Sequence, residues 1–237
     1  MILKKIWRYR KILRSIFPSI YFNFRYLPFK QAIRLPILLY KPKFYNLKGS
    51  ITIDSPHISL GMVLWGFNNV SLYPNTGIHI EIHGQGKIII KGRCKIGNAS
   101  AISIGKKGTV IFGNGFTSWS SLHLVAYHRI EFKENVLIGW ESTCMDTDFH
   151  KLTKLSGGYS KGFGAIVIGS NTWLGLKCTI LKNTKLPDYS VVGGNSVLNR
   201  DYTVDTPSYC VLAGNPASLR KKGVYRKAGD DDINYDE

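Results

Sequence analysis

The stretch Ile168-Gly-Ser-Asn-Thr172-Trp173-Leu174-Gly175-Leu-Lys-Cys178-Thr-Ile180-Leu-Lys-Asn-Thr184-Lys-Leu186-Pro187-Asp-Tyr-Ser190-Val-Val192-Gly193-Gly194-Asn-Ser196-Val-Leu198 repeats with a period of six. Ile168, Leu174, Ile180, Leu186, Val192 and Leu198 recur as aliphatic residues. Four places after each of the first five stands a small or polar one: Thr172, Cys178, Thr184, Ser190 and Ser196. Such a period means stacked units, each a short strand plus a tight turn, with three hexads closing one triangular coil of about 18 residues. The aliphatic side chain points inward onto its equivalents above and below, and the small residue fits the corner. The same phase occurs earlier, at Ile96-Gly97, Ile102, Phe132 and Ile138-Gly139. The fold predicted is an all-β parallel β-helix.

Outward from this stretch the chain divides into three. Residues 1–48 hold 12 basic residues and no acid. In the first seventeen, Ile2, Ile6, Tyr9, Leu13 and Ile16 fall on one helical face, continued by Ile20, with Lys4, Arg8, Lys11 and Arg14 opposite. Pro18 marks the expected end of this helix. Two readings stand side by side: residues 1–20 contact an anionic membrane surface, or the helix caps the core of the next domain. Residues 49–222 form the solenoid domain, opening with alternation at Ile78, Ile80 and Ile82 against His79, Glu81 and His83. Residues 223–237 are an acidic tail: five of the 15 acids sit in the last eight residues.

Composition narrows the function classes. Lys and Arg number 32, the net charge is +17, and the part before residue 230 stands near +22. Such a body calls for a polyanionic ligand or neighbour, but no RNA- or DNA-reading motif accompanies the charge, so nucleic acid is not expected. Cys94, Cys144, Cys178 and Cys210 form no CxxC pair and no compact zinc spacing, which favours a reducing, cytoplasmic compartment. No run of about 18 uncharged apolar residues occurs, so no membrane span is expected.

The hexads resemble those of the left-handed parallel β-helix acyltransferases of the hexapeptide-repeat superfamily. Residues 168–180 are similar to the "IGxxxWIGxxxxI" coil, Val191 to Val197 to "VVGAGSVV", and Gly214-Asn215-Pro216-Ala217 with Arg220 to the closing "GNPAxxxR" segment. The left hand is implied by the resemblance alone, since the general crossover rule favours the opposite one. Leu186-Pro187 departs from the usual Ile-Gly. Between the Ile138 and Ile168 coils the repeat is interrupted by a loop, 145–167, where function on a rigid scaffold concentrates. Its "Trp140…Asp146-x-Asp148-x-His150" looks like the version in polysaccharide and sugar O-acetyltransferases, which makes His150 the expected catalytic base.

The resemblance implies transfer of an acetyl group from acetyl-CoA to a sugar hydroxyl, in a cell-surface polysaccharide or its lipid-linked precursor, by a homotrimer. The chemistry requires a proton to leave the attacking alcohol, and the histidine side chain, with a reference pKa of about 6.5, suits that task. Asp146 or Asp148 is expected to hold the imidazole in one tautomer. Positions matching coenzyme A contacts are Trp173, Gly175, Gly194, Arg200 (in place of the usual lysine), Arg220, Lys221 and Lys222. Two rival readings keep the fold and change the function. His123 and His128 have the HxxxxH spacing of a γ-class carbonic anhydrase but lack a clean third zinc ligand, so no metal is expected. A non-enzymatic scaffold would have uninterrupted coils, which the histidine loop contradicts.

Overall fold

The computed structural model describes residues 15–67, 70–230 and 233. Within them, 22 strands, β1 to β22 in chain order, line the three faces of a prism. Sheet A has nine strands, sheet B seven and sheet C six; successive strands go to successive sheets as far as β20, and β21 and β22 both join sheet A. All pairings are parallel except the last, between β21 (Cys210–Gly214) and β22 (Ala217–Lys222). In the decisive stretch one turn takes 18 residues: Trp173 lies against Val191, Thr179 against Val197, and Val167 against Lys185.

The hexad residues occupy the places the repeat assigns them. The six aliphatic positions from Ile168 to Leu198 are at most 2% exposed, and all five small positions are fully buried. The turn itself lies one residue before each small position. Asn171, Lys177, Asn183, Tyr189 and Asn195 adopt φ between 56° and 67°, the left-handed region. Asparagine tolerates that region better than most residues, and three of these five are asparagine. Glycine is needed where coils approach most closely. A Cβ on Gly139 would stand 2.5 Å from the backbone of Gly175, and one on Gly175 2.8 Å from Gly194 N.

The solenoid begins ahead of the boundary expected at residue 49. Its first coil is β1 (Ile37–Leu39), β2 (Pro42–Leu47) and β3 (Ser50–Ile53), each the first strand of its sheet. The hexad signal is absent there because β2 is long and carries a bulge between Phe44 and Asn46. Ahead of it, helix α1 (residues 15–26) and the single turn α2 (Phe29–Ala32) close the open end. Pro18 does not end the helix, which runs on to residue 26; the Ser15 carbonyl is satisfied by the Ser19 hydroxyl. The remainder of the expected N-terminal helix, residues 1–14, lies outside the described residues.

This end cap is held by polar groups as well as by apolar packing. Asn23 Nδ2 donates to Ile37 O at 2.7 Å while Asn23 Oδ1 accepts from Ile37 N–H at 3.1 Å, so its amide acts as a further strand partner for β1. Ser19 Oγ likewise accepts from Leu39 N–H at 2.9 Å. These bonds satisfy backbone groups that an edge strand would otherwise leave open. Phe22 enters the end of the prism and stacks on Phe44, with ring centroids 5.5 Å apart. Deeper in the prism, Phe112, Phe116 and Phe132 form one aromatic layer, with centroids 4.7 to 5.7 Å apart.

Candidate functional site

The loop expected at 145–167 leaves β14 (Thr143–Met145) in sheet B and returns at β15 (Ile166–Ile168) in sheet C. It therefore emerges from the corner where B meets C. Antiparallel bridges Thr147–Phe163 and Thr153–Tyr159 fold it into a hairpin-like arm, with Gly157 and Gly158 at positive φ near its tip. The arm exposes Phe149, Leu152, Leu155 and Tyr159. A cavity of about 390 Å³ at its base is lined by Tyr127, Phe149, His150, Tyr159, Lys161 and Phe163, among others.

Neither expected carboxylate lies on the imidazole. Asp146 is fully buried and accepts from the backbone N–H groups of Tyr127 at 2.8 Å and His128 at 2.9 Å. It ties the root of the arm to the corner after β11 (His123–Ala126). Burial pushes its carboxyl up, against the pull of those N–H donors. Asp148 is taken by Lys182, from the next coil, in a two-oxygen ion pair. His150 instead has Nδ1 3.2 Å from the Asp148 carbonyl. A carbonyl can only accept, so this bond requires a proton on Nδ1, and in the neutral ring that leaves the lone pair on Nε2. The group on the imidazole is thus the backbone carbonyl of Asp148, while its carboxylate is engaged by Lys182. Nothing in the hexad pattern pairs Lys182 with the loop, because that contact depends on how the coils stack.

Asp146→Asn tests the root of the arm. An amide presents its own N–H groups to one of the two backbone donors, so one is left unpaired. The expected loss is about 1–3 kcal/mol, read as a lower urea midpoint. The pH dependence follows from the sign of the shift. With its carboxyl raised in the folded state, Asp146 favours folding most at low pH, and that contribution fades as pH rises through the raised value. The asparagine variant lacks this component of the slope.

The residues expected to contact coenzyme A divide into two groups. Trp173 stands 41% exposed on β16 (Trp173–Leu174) in sheet A, with Gly175 and Gly194 at the adjoining corner, and Arg220 and Lys221 on β22 in the same sheet. Gly175 and Gly194 also meet the close coil packing described above. Arg220 Nε donates to Ala213 O at 3.1 Å. Arg200 stands apart from them: it follows sheet B, pairs with Asp205 at 2.8 Å and lies over the Tyr202 ring. In a three-sided prism the corner between B and C is opposite face A. A single chain therefore carries Trp173, Arg220 and Lys221 on face A and the root of the arm with His150 at the opposite corner.

The remaining chemistry-bearing residues are accounted for. His123 lies on β11, and the His128 ring packs against Phe163 at 4.9 Å. Among the described residues no group of three His, Cys, Asp or Glu side chains is placed to hold a metal ion. All four cysteines are free and buried, and burial pushes the Cys94 thiol up to about 12 and Cys178 to about 11. A buried thiol with so little thiolate is no nucleophile.

No family profile matches the chain. WbbJ of Escherichia coli, named for O-acetyl transfer in lipopolysaccharide biosynthesis, is 30% identical over 146 residues, which cover 48% of this chain and 72% of WbbJ. The chain belongs to the hexapeptide-repeat acetyltransferase family. A Staphylococcus aureus protein whose name places it among the acetyltransferases is 38% identical over 65 residues, 27% of this chain; the match spans only 30% of that relative. Among solved structures, the polysialic-acid-specific acetyltransferase NeuO superposes with a TM-score of 0.61 at 20% identity, covering 81% of this chain and 74% of NeuO. That likeness is one of fold, and it gives the solenoid the left hand of this family.

Proposed function

We propose that the protein transfers an acetyl group from acetyl-CoA to a sugar hydroxyl in a cell-surface polysaccharide or its lipid-linked precursor. The observation that carries this reading is His150. Its Nδ1 is tied to a backbone carbonyl and no bond is made by its Nε2, in an aromatic cavity within the longest interruption of the strands among the described residues. The reaction balances on that residue alone. Nε2 takes the proton of the attacking hydroxyl, and the oxygen adds to the thioester carbonyl carbon. The carbon–sulfur bond then breaks, and the departing thiolate takes the proton back from the imidazolium. The products are an O-acetyl sugar and free coenzyme A. Direct transfer is supported by the burial of every cysteine.

A homotrimer follows from the same reading. The arm with His150 and the face with Trp173 lie on opposite sides of one prism, so a complete site takes the arm of one copy and face A of another. The exposed apolar residues of the arm suit insertion between copies. The placement proposed is the inner face of the plasma membrane. Free buried thiols fit a reducing compartment, and the basic N-terminal segment, residues 1–20, fits contact with anionic lipid. Among the described residues no helix is long and apolar enough to cross a membrane.

Calorimetric titration with coenzyme A tests the donor half. Saturable binding is expected, weakened about tenfold by Trp173→Ala, with a trimeric mass by light scattering. A chain that ignores coenzyme A is not this enzyme.

A further inference from the structure

Among the described residues, most of the outer surface of the end cap packs against no other element. Its inner side is used: Phe22 of α1, Leu27 just after it and Ala32 of α2 are buried in the core. Its outer side presents Phe17, Ile20, Tyr21 and Phe24 at helical spacing, followed by Phe29 and Ile33; Phe17 is 79% exposed and Phe29 70%. Phe24 and Phe29 touch edge to face, with ring centroids 6.0 Å apart, so the apolar surface continues from α1 into α2. Exposed Arg25, Lys30 and Arg34 flank it, and no acid occurs before Asp54. A contiguous apolar patch rimmed by charge of one sign is an interaction surface.

We infer that this end plate, residues 17–34, seats the protein on an anionic lipid bilayer. The charge selects the occupant. A second copy of the same face would bring like charges together without a counter-charge, whereas anionic headgroups complement every basic residue of the rim. Aromatic and aliphatic side chains at a basic rim suit the headgroup boundary, where rings lie in the interface and Lys/Arg reach the phosphates.

The geometry gives the site a height. The plate closes the end of the prism, so the solenoid axis stands away from the membrane. The catalytic arm leaves β14, four strand steps from β2 in sheet B. At about 4.8 Å per step, the root of the arm that carries His150 is held roughly 19 Å above the first coil. Resting on the proposed acetyl transfer, this places the reacting hydroxyl on a sugar well out along a lipid-linked chain, beyond the unit next to the lipid. Three copies with parallel axes would bring three plates to one plane, and their weak affinities would combine.

Cosedimentation of the full chain with phosphatidylcholine vesicles, with and without phosphatidylglycerol, tests the inference. Binding is expected only when phosphatidylglycerol is present, and it weakens as salt is raised. Phe17→Ser with Phe24→Ser and Phe29→Ser is expected to lower the partition coefficient about tenfold. Lys30→Glu with Arg34→Glu does the same with the apolar face intact. Both variants should keep the thermal midpoint, oligomeric mass and coenzyme A binding of the parent, so failure here is separable from failure of the acetyl-transfer reading. Parent protein that ignores anionic vesicles would overturn the inference, as would variants that bind them like the parent. A changed mass in the serine variant would assign the face to a second copy instead.

Discussion

Replacing His150 by Ala is expected to lower acetyl transfer by about 10²–10⁴-fold, the range lost when a general base is removed. The loss belongs in kcat. Coenzyme A affinity should hold, because the expected donor contacts other than Arg200 lie on or beside sheet A and the arm carrying His150 leaves the opposite corner. The thermal midpoint should hold too, since this histidine is exposed and its side chain bonds the Asp148 carbonyl of its own loop. Lys182→Ala separates base from positioning. It frees the Asp148 carboxylate, loosens the loop carrying the imidazole and leaves the base itself in place. A smaller fall in kcat is expected, with coenzyme A affinity unchanged. A His150→Ala enzyme with parental turnover would remove the histidine from the mechanism.

The largest effect on stability is expected from Phe132→Ala. Phe132 is 1% exposed, stacks on Phe112 with rings 10° from parallel, and touches Phe116 at 4.7 Å. Truncation removes a ring from a layer that spans the prism interior, and parallel coils above and below restrict collapse into the gap. The expected cost is about 3–5 kcal/mol, which lowers the melting midpoint by roughly 10 °C in a chain of this size. In a solenoid each coil contacts only its neighbours, so the damage should stay local and the C-terminal coils should keep their hydrogen-exchange protection longest. Phe132→Leu, which refills much of the volume, should recover most of the loss. A cost under about 1 kcal/mol for the alanine variant would mean the site collapses freely.

Much of the fold was legible because the hexad is a local code. Ile168 to Leu198 each fix an inward side chain within their own six residues, and stacking repeats that decision without long-range information. The corner rule was also written in the chain: Asn171, Asn183 and Asn195 stand where the backbone turns left-handed. The first coil was not legible, because its closure depends on side chains distant in sequence. Asn23 pairs with Ile37 and Phe22 stacks on Phe44, contacts with no periodicity to read. Pro18 misled for a related reason: local chemistry favours a break there, while packing of Ser19, Phe22 and Asn23 on the first coil favours continuation.

The site shows the same division. His150 could be singled out from a loop motif, since an insertion into a repeat is visible as broken phase. Its surroundings could not. Asp146 and Asp148 look equivalent in sequence, yet one is buried under the Tyr127 and His128 amides and the other faces Lys182. Only the coil register decides which is which.

The most direct measurement is release of free coenzyme A from acetyl-CoA by the purified protein across a panel of sugars, nucleotide sugars and oligosaccharides, with the His150→Ala variant alongside. The account predicts release that requires an acceptor, a product heavier by one acetyl group on oxygen, and loss of both in the variant. Coenzyme A release that is indifferent to every acceptor, or equal in the variant, would contradict it.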